Sequence, residues 1–203
     1  MNHQPAVRLE RAAGVFLVLG FVANLVGVVM FTVRDGASGG LPPNADYYVW
    51  ERSFFLAAVA STAVGFVLFA DHPSLGVGRV LARAGATAYL FGGILGVVAE
   101  AMDLTGAPSG YYPLIVVYVA LAFLAQAAIG GGLRQAGLLA PWIGWTTIVW
   151  NLAWLFALPL LTPSDIYYPV LHHVAPLLMG GALLRRAAVP RALPRQTGQQ
   201  RPP

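Results

Sequence analysis

The chain has 203 residues, of which 58% are apolar and only 10% charged, against about 25% charged in an average soluble domain. So little polar surface excludes a water-soluble globule, a disordered chain and a collagen-like repeat, and leaves a polytopic membrane protein. The net charge of +4 comes from twelve basic residues, every one an arginine, and the absence of cysteine excludes disulfides, thiolate metal sites and cysteine nucleophiles.

Six apolar runs are long enough to cross a hydrocarbon core about 30 Å thick, near residues 12–33, 52–70, 81–102, 112–132, 141–161 and 166–184. Each run is continuous and shows no two-residue alternation, so the fold expected is all-α, a bundle of six transmembrane helices. The first run is too long for the apolar region of a secretory signal, lacks a clear small-residue cleavage site, and reads as a retained span. With the N-terminus in the cytoplasm, ten arginines fall inside and two, Arg34 and Arg52, outside. That bias predicts both termini inside. Arginine used to the exclusion of lysine, beside heavy Ala, Gly, Val and Leu usage, suggests a GC-rich bacterial gene and hence the inner membrane. Residues 1–186 form the expected membrane domain; residues 187–203, rich in Pro, Gln and Arg, form a tail too polar to build a core.

Three tyrosine pairs, Tyr47-Tyr48, Tyr111-Tyr112 and Tyr167-Tyr168, stand at the outer starts of inward-running spans and read as an aromatic belt with Trp50, while Trp142 stands at the inner face. The first outer loop, residues 34–46, is rich in Gly and Pro and is expected to be irregular.

Polar residues at membrane depth carry the functional argument, because they are costly there and face the bundle interior. In span one, Asn24 shares a seam with Gly20, Ala23 and Gly27. In span three, Tyr89, Gly92, Gly96, Glu100 and Asp103 share one helical face, and Gly92 with Gly96 forms a GxxxG that admits a neighbouring backbone. Glu100 either lines a pocket or snorkels into outer water. Gln126 in span four and Asn151 in span five also lie beside small residues. Asn24, Gln126 and Asn151 read as packing residues that hydrogen-bond between helices, with Gly92 and Gly96 beside them; the alternative is a polar path through the bundle.

Span six holds His172 and His173 about 9 Å below its tyrosine pair by helical rise. Pro176 removes the N–H that would bond the His172 carbonyl, so the helix should bend and leave that carbonyl open. Either imidazole is a ligand or a packing residue bonded to another helix. Glu100, Asp103, Asp165 and the two histidines fall in the outer third, and with Tyr89 they make up a candidate ligand-binding set.

Several chemistries are excluded or weak. Adjacent histidines cannot ligate one haem iron from opposite faces. There is no HExxH, no phosphate-binding GxxxxGK[ST], and no serine placed like an intramembrane nucleophile. No spacing motif holds a metal, and neither a cofactor nor a catalytic residue is expected.

Two stretches, Leu133-Arg134-Gln135-Ala136-Gly137-Leu138-Leu139-Ala140-Pro141-Trp142-Ile143-Gly144-Trp145 and Tyr168-Pro169-Val170-Leu171-His172-His173-Val174-Ala175-Pro176, resemble small six-helix prokaryotic membrane proteins of no assigned function. The resemblance covers mainly the C-terminal third and implies a six-helix bundle without any activity. Two functions follow as expectations. One is binding or passage of a small solute, ion or proton through an outward-facing polar pocket. The other is an accessory subunit that packs through its small-residue seams against a larger membrane complex or a second copy. An acid–base enzyme using Glu100 and a histidine has least support, having no nucleophile. The expected partners are the bilayer itself and anionic lipids of the inner leaflet, with no nucleic acid.

Overall fold

A computed structural model of the chain describes residues 4–36, 45–105, 110–162 and 169–189. Six helices occupy them: α1 Gln4–Gly36, α2 Ala45–Ala70, α3 Arg79–Leu104, α4 Tyr112–Ala136, α5 Pro141–Leu161 and α6 Pro169–Ala188. Some of their ends carry residues suited to the task. Pro113 and Pro141 stand in the first turns of α4 and α5, where a missing N–H costs nothing. Helix α4 ends on Gly137 in the left-handed conformation, φ 58°, and its N–H closes onto the Leu133 carbonyl at 3.1 Å. A short 3-10 helix, Pro73–Gly78, links α2 to α3; it is started by His72, whose Nδ1 accepts the Ser74 N–H at 3.2 Å.

The helices form a ring in sequence order, α1 against α2, α2 against α3, α3 against α4 and α4 against α5. Helix α6 closes it by packing along α1, and touches α5 only lightly. Neighbours run antiparallel. Glu10 near the start of α1 meets Arg186 at the end of α6 and His72 beyond the end of α2, while Arg52 near the start of α2 meets Glu100 near the end of α3. One end of the bundle therefore gathers Arg8, Arg11, Arg79, Arg83, Arg134, Arg185 and Arg186.

Five helices, α1 to α5, are long and apolar enough to cross a membrane. Helix α6 is diluted by two histidines, two prolines and two arginines within its 20 residues. The outward faces are lipid-like: Val29, Phe91, Ile94, Val149, Phe156 and Leu160 are all more than half exposed, an apolar girdle that no water-soluble monomer tolerates. The interior is drier in character but not wholly apolar. Phe66, Phe69, Tyr89, Tyr118, Phe123 and Met179 fill it, and small residues set the helix separations. A Cβ built on Gly14 would stand 2.9 Å from Leu184 Cγ and 3.0 Å from the Gly180 carbonyl oxygen, so α1 and α6 cross almost backbone to backbone.

Six helices are observed in the order of the six expected spans, five of them long and apolar enough to cross a membrane, and the first two differ most from the expected bounds. Helix α1 continues to Gly36 and α2 begins at Ala45, so residues 34–36 and 45–46 of the expected irregular outer loop are helical; residues 37–44 lie outside the described residues. Because α2 starts early, Arg52 sits within an apolar helix that runs from Tyr48 to Ala70, not at its boundary. The tail from residue 190 onward, Asp165, and the pair Tyr167-Tyr168 also lie outside the described residues.

Candidate functional site

The end of the bundle opposite the arginine-rich face holds the densest polar cluster. Glu100, on the last turns of α3, is 3% exposed. It does not snorkel outward, because α2 presents Arg52 to it: Nη1 donates to Glu100 Oε2 at 3.0 Å and to Oε1 at 3.3 Å. The same guanidinium reaches Asp103 Oδ2 through Nη2 at 3.3 Å, and its Nε lies 3.6 Å from Glu51 Oε1. One planar cation thus spans three carboxylates, an arrangement that Arg supports and a point-like ammonium would not.

Two tyrosines complete the cluster. The Tyr48 hydroxyl donates to Asp103 Oδ2, and the Tyr48 ring lies under the Arg52 guanidinium, 4.9 Å from centroid to Cζ. Tyr111 also stands near Asp103, and that carboxylate, through hydrogen bonding first and charge second, raises the phenol above its ordinary pKa of 10.0. Tyr48 does more than anchor a belt: it donates to the Asp103 oxygen that Arg52 also contacts.

The second station lies deeper. His172 on α6 is fully buried, stacked against Phe123 at 4.1 Å and Tyr118 at 5.7 Å, both on α4. Neither ring nitrogen of His172 has a hydrogen-bond partner among the described residues. Its backbone carbonyl, freed by Pro176, is taken by Gln126 Nε2 at 2.9 Å, and the Leu171 carbonyl accepts the Trp150 indole N–H at 2.9 Å. Thus the open carbonyl expected from the proline is present but closed by a side chain. His173 is 1% exposed and Tyr89 is fully buried, edge-on to Phe66 at 5.0 Å. The Tyr89 hydroxyl lies beside those of Thr62 and Tyr118, outside hydrogen-bond geometry.

The expected set is therefore only partly brought together. Glu100 and Asp103 share one cluster, but His172 makes no hydrogen bond to either, and its imidazole stacks on two rings of α4. Tyr118 stands between the two stations: it stacks on His172, and a Cβ on Gly96, one turn below Glu100, would lie 3.0 Å from its ring. Gly92 and Gly96 face α4 in this way, so the GxxxG packs α3 against its own chain. Two large clefts open on the flank of the bundle, one of about 570 Å³ along Trp145, Val149, Trp150, Trp154 and Leu161 of α5 and one of about 580 Å³ between α5 and α6; neither is lined by Glu100 or a histidine.

Among the expected packing amides, Gln126 joins α4 to α6 as described, whereas Asn151 is a correction. Its Nδ2 donates to the Thr147 carbonyl of its own helix at 2.7 Å. Asparagine is one methylene shorter than glutamine and bonds to the turn behind it before it can cross to a neighbour. Asn24 is fully buried in the α1–α2 seam, beside Gly20 and Gly27, with no side-chain hydrogen bond among the described residues.

Sequence reasoning passed over a third cluster at the arginine-rich end. Glu10 is 1% exposed on α1. Its Oε1 lies 3.1 Å from Arg186 Nε and 3.2 Å from His72 Nε2, and Arg186 Nη1 also donates to the Leu138 carbonyl. Three helix ends and the α4–α5 turn meet there. Among the described residues no group of three His, Asp or Glu side chains could hold a metal ion. No family model matches the chain, and neither a curated protein nor a solved structure does.

Proposed function

We propose that the protein is a six-span bundle of a bacterial inner membrane, with both termini and the arginine-rich end in the cytoplasm, and that it binds and passes a proton or small cation at its outer end. The topology is supported by the gathering of arginines at one end and by α6, which lies along α1 and so crosses wherever α1 does. The functional reading rests on one observation: Arg52 holds the buried Glu100 and the partly exposed Asp103 together near the end of an apolar helix pair. Ionisable groups at such depth mark ion or proton pathways more often than scaffolding. Arg52 then acts as an internal cation that a permeant must displace, and His172, with both ring nitrogens unpartnered beneath Tyr118, is the next polar station inward.

Reconstitution into liposomes with an interior pH dye, or a sodium- or potassium-selective dye, tests this. The parent should dissipate an imposed gradient, and Glu100→Gln should slow it at least tenfold while eluting as the same monodisperse species in detergent. His172→Phe keeps the ring stack and should also slow it. Flux equal to that of protein-free liposomes with all three ions overturns the reading. Against the accessory-subunit alternative stands the packing of Gly92 and Gly96 on α4 within the bundle.

A further inference from the structure

The cleft between α5 and α6 has no part in the outer cluster. Its volume is about 580 Å³, within the range of small-ligand sites. Leu139, Ile143, Leu177 and Leu178 make its walls, and it opens because α5 and α6 barely meet. Gly181 forms part of the lining, and a Cβ there would meet nothing within 4 Å. Packing does not require that glycine, unlike Gly14 or Gly180; its effect is to keep the groove deep.

The chemistry changes sharply toward the arginine-rich end. Arg185 and Arg186 border the cleft there, together with Ala140 and Trp142 at the start of α5. Arg186 is committed to Glu10 and the Leu138 carbonyl. Arg185 is exposed and has no ion-pair partner among the described residues. Ala140, which precedes α5, gives that helix no side-chain cap, so its first-turn dipole adds positive potential at the same level. Trp142, 57% exposed, marks the depth of a headgroup layer. An apolar slot continuous with a cationic rim matches a molecule with an acyl chain and a phosphate.

We propose that this cleft binds one anionic glycerophospholipid of the arginine-side leaflet, with an acyl chain along Gly181 and the phosphate on Arg185. Basic pockets between helices on that side are suited to such headgroups. The inference depends on the chain spanning a bilayer but not on any flux through it.

The full chain, purified in detergent and delipidated, is titrated with phosphatidylglycerol, phosphatidylcholine and inorganic phosphate, and bound lipid is counted by native mass spectrometry. Phosphatidylglycerol should bind at one site in preference to phosphatidylcholine, and phosphate alone should not compete at equal concentration. Arg185→Gln should weaken phosphatidylglycerol binding about fivefold. Gly181→Leu should fill the slot and abolish the preference while the thermal transition stays at or above the parent's, since the added side chain enters open space. Equal binding of the two lipids, displacement by phosphate alone, or unchanged binding in a folded Gly181→Leu protein would each overturn the proposal. A flux-dead parent that still binds phosphatidylglycerol would remove the permeation reading and leave this one standing.

Discussion

The hydrogen bond from Gln126 to the His172 carbonyl makes a sharp prediction, because a specific sequence feature created the need for it. Pro176 has no N–H, so the carbonyl four residues earlier is an orphan inside the bundle. Gln126 Nε2 supplies the missing donor at 2.9 Å, and both groups are fully buried. Gln126→Met keeps the side-chain length and removes the donor. Leaving a buried carbonyl unsatisfied costs about 1–3 kcal/mol; Gln126 Oε1 itself has no partner among the described residues, and its removal returns roughly 1 kcal/mol. The net cost expected is about 0–2 kcal/mol. In a Pro176→Ala background the backbone N–H returns to the His172 carbonyl, and Gln126→Met should cost about 0 kcal/mol or stabilise slightly. Unfolding by SDS in mixed micelles, followed by tryptophan fluorescence, gives the four corners of the cycle. The reasoning fails if the two substitutions add to within about 0.5 kcal/mol, since Gln126 would then act independently of the proline.

Arg52→Met should destabilise the bundle by about 3–5 kcal/mol in the same assay, because it leaves Glu100 and Asp103 without their shared cation; adding Glu100→Gln should recover part of that loss. Gly14→Ala should cost about 1–3 kcal/mol, since its Cβ would press on Leu184 and the Gly180 carbonyl, while Gly181→Ala should be neutral. The Tyr111 phenol, held neutral by Asp103, should ionise above pH 10.0. Its folded pKa exceeds the unfolded one, so the bond's contribution is full below pH 10 and fades as pH rises through the shifted value. Comparison of ultraviolet titrations of the parent and Tyr111→Phe isolates this group, and Asp103→Asn should draw it back down; a Tyr111 component that titrates at its ordinary value contradicts the assigned bond.

What the sequence revealed and what it hid divide along a physical line. Helix number, order and antiparallel pairing follow from local quantities, namely runs of apolar residues, arginines at alternate turns, and punctuation such as Pro141 and Gly137. Packing faces were also legible where one helix carries the signal alone: Gly92 and Gly96 recur at helical spacing, and the structure sets both against α4. Partner choice is different in kind. Nothing local distinguishes Arg52 as the counter-ion of Glu100, because the two are 48 residues apart and Arg52 looks like a boundary charge until α2 is seen to begin at Ala45. Glu10 and Arg186 are separated by 176 residues, and each alone reads as an ordinary charge near a helix end.

A rule does emerge from these misses. In a chain with eight acidic residues, a carboxylate inside or beside an apolar run needs a cation beside it, since burying it unpaired is prohibitive. Glu10 on α1 and Glu100 on α3 are both buried, so each demanded a search for a basic residue on an adjacent antiparallel helix at the same depth. Depth matching by helical rise points from Glu100 to the start of α2, and from Glu10 to the ends of α2 and α6. Arg52 and Arg186 occupy those levels. The histidines gave no comparable handle, because a neutral imidazole can be buried against rings, as His172 is against Tyr118 and Phe123, and so imposes no charge to be matched.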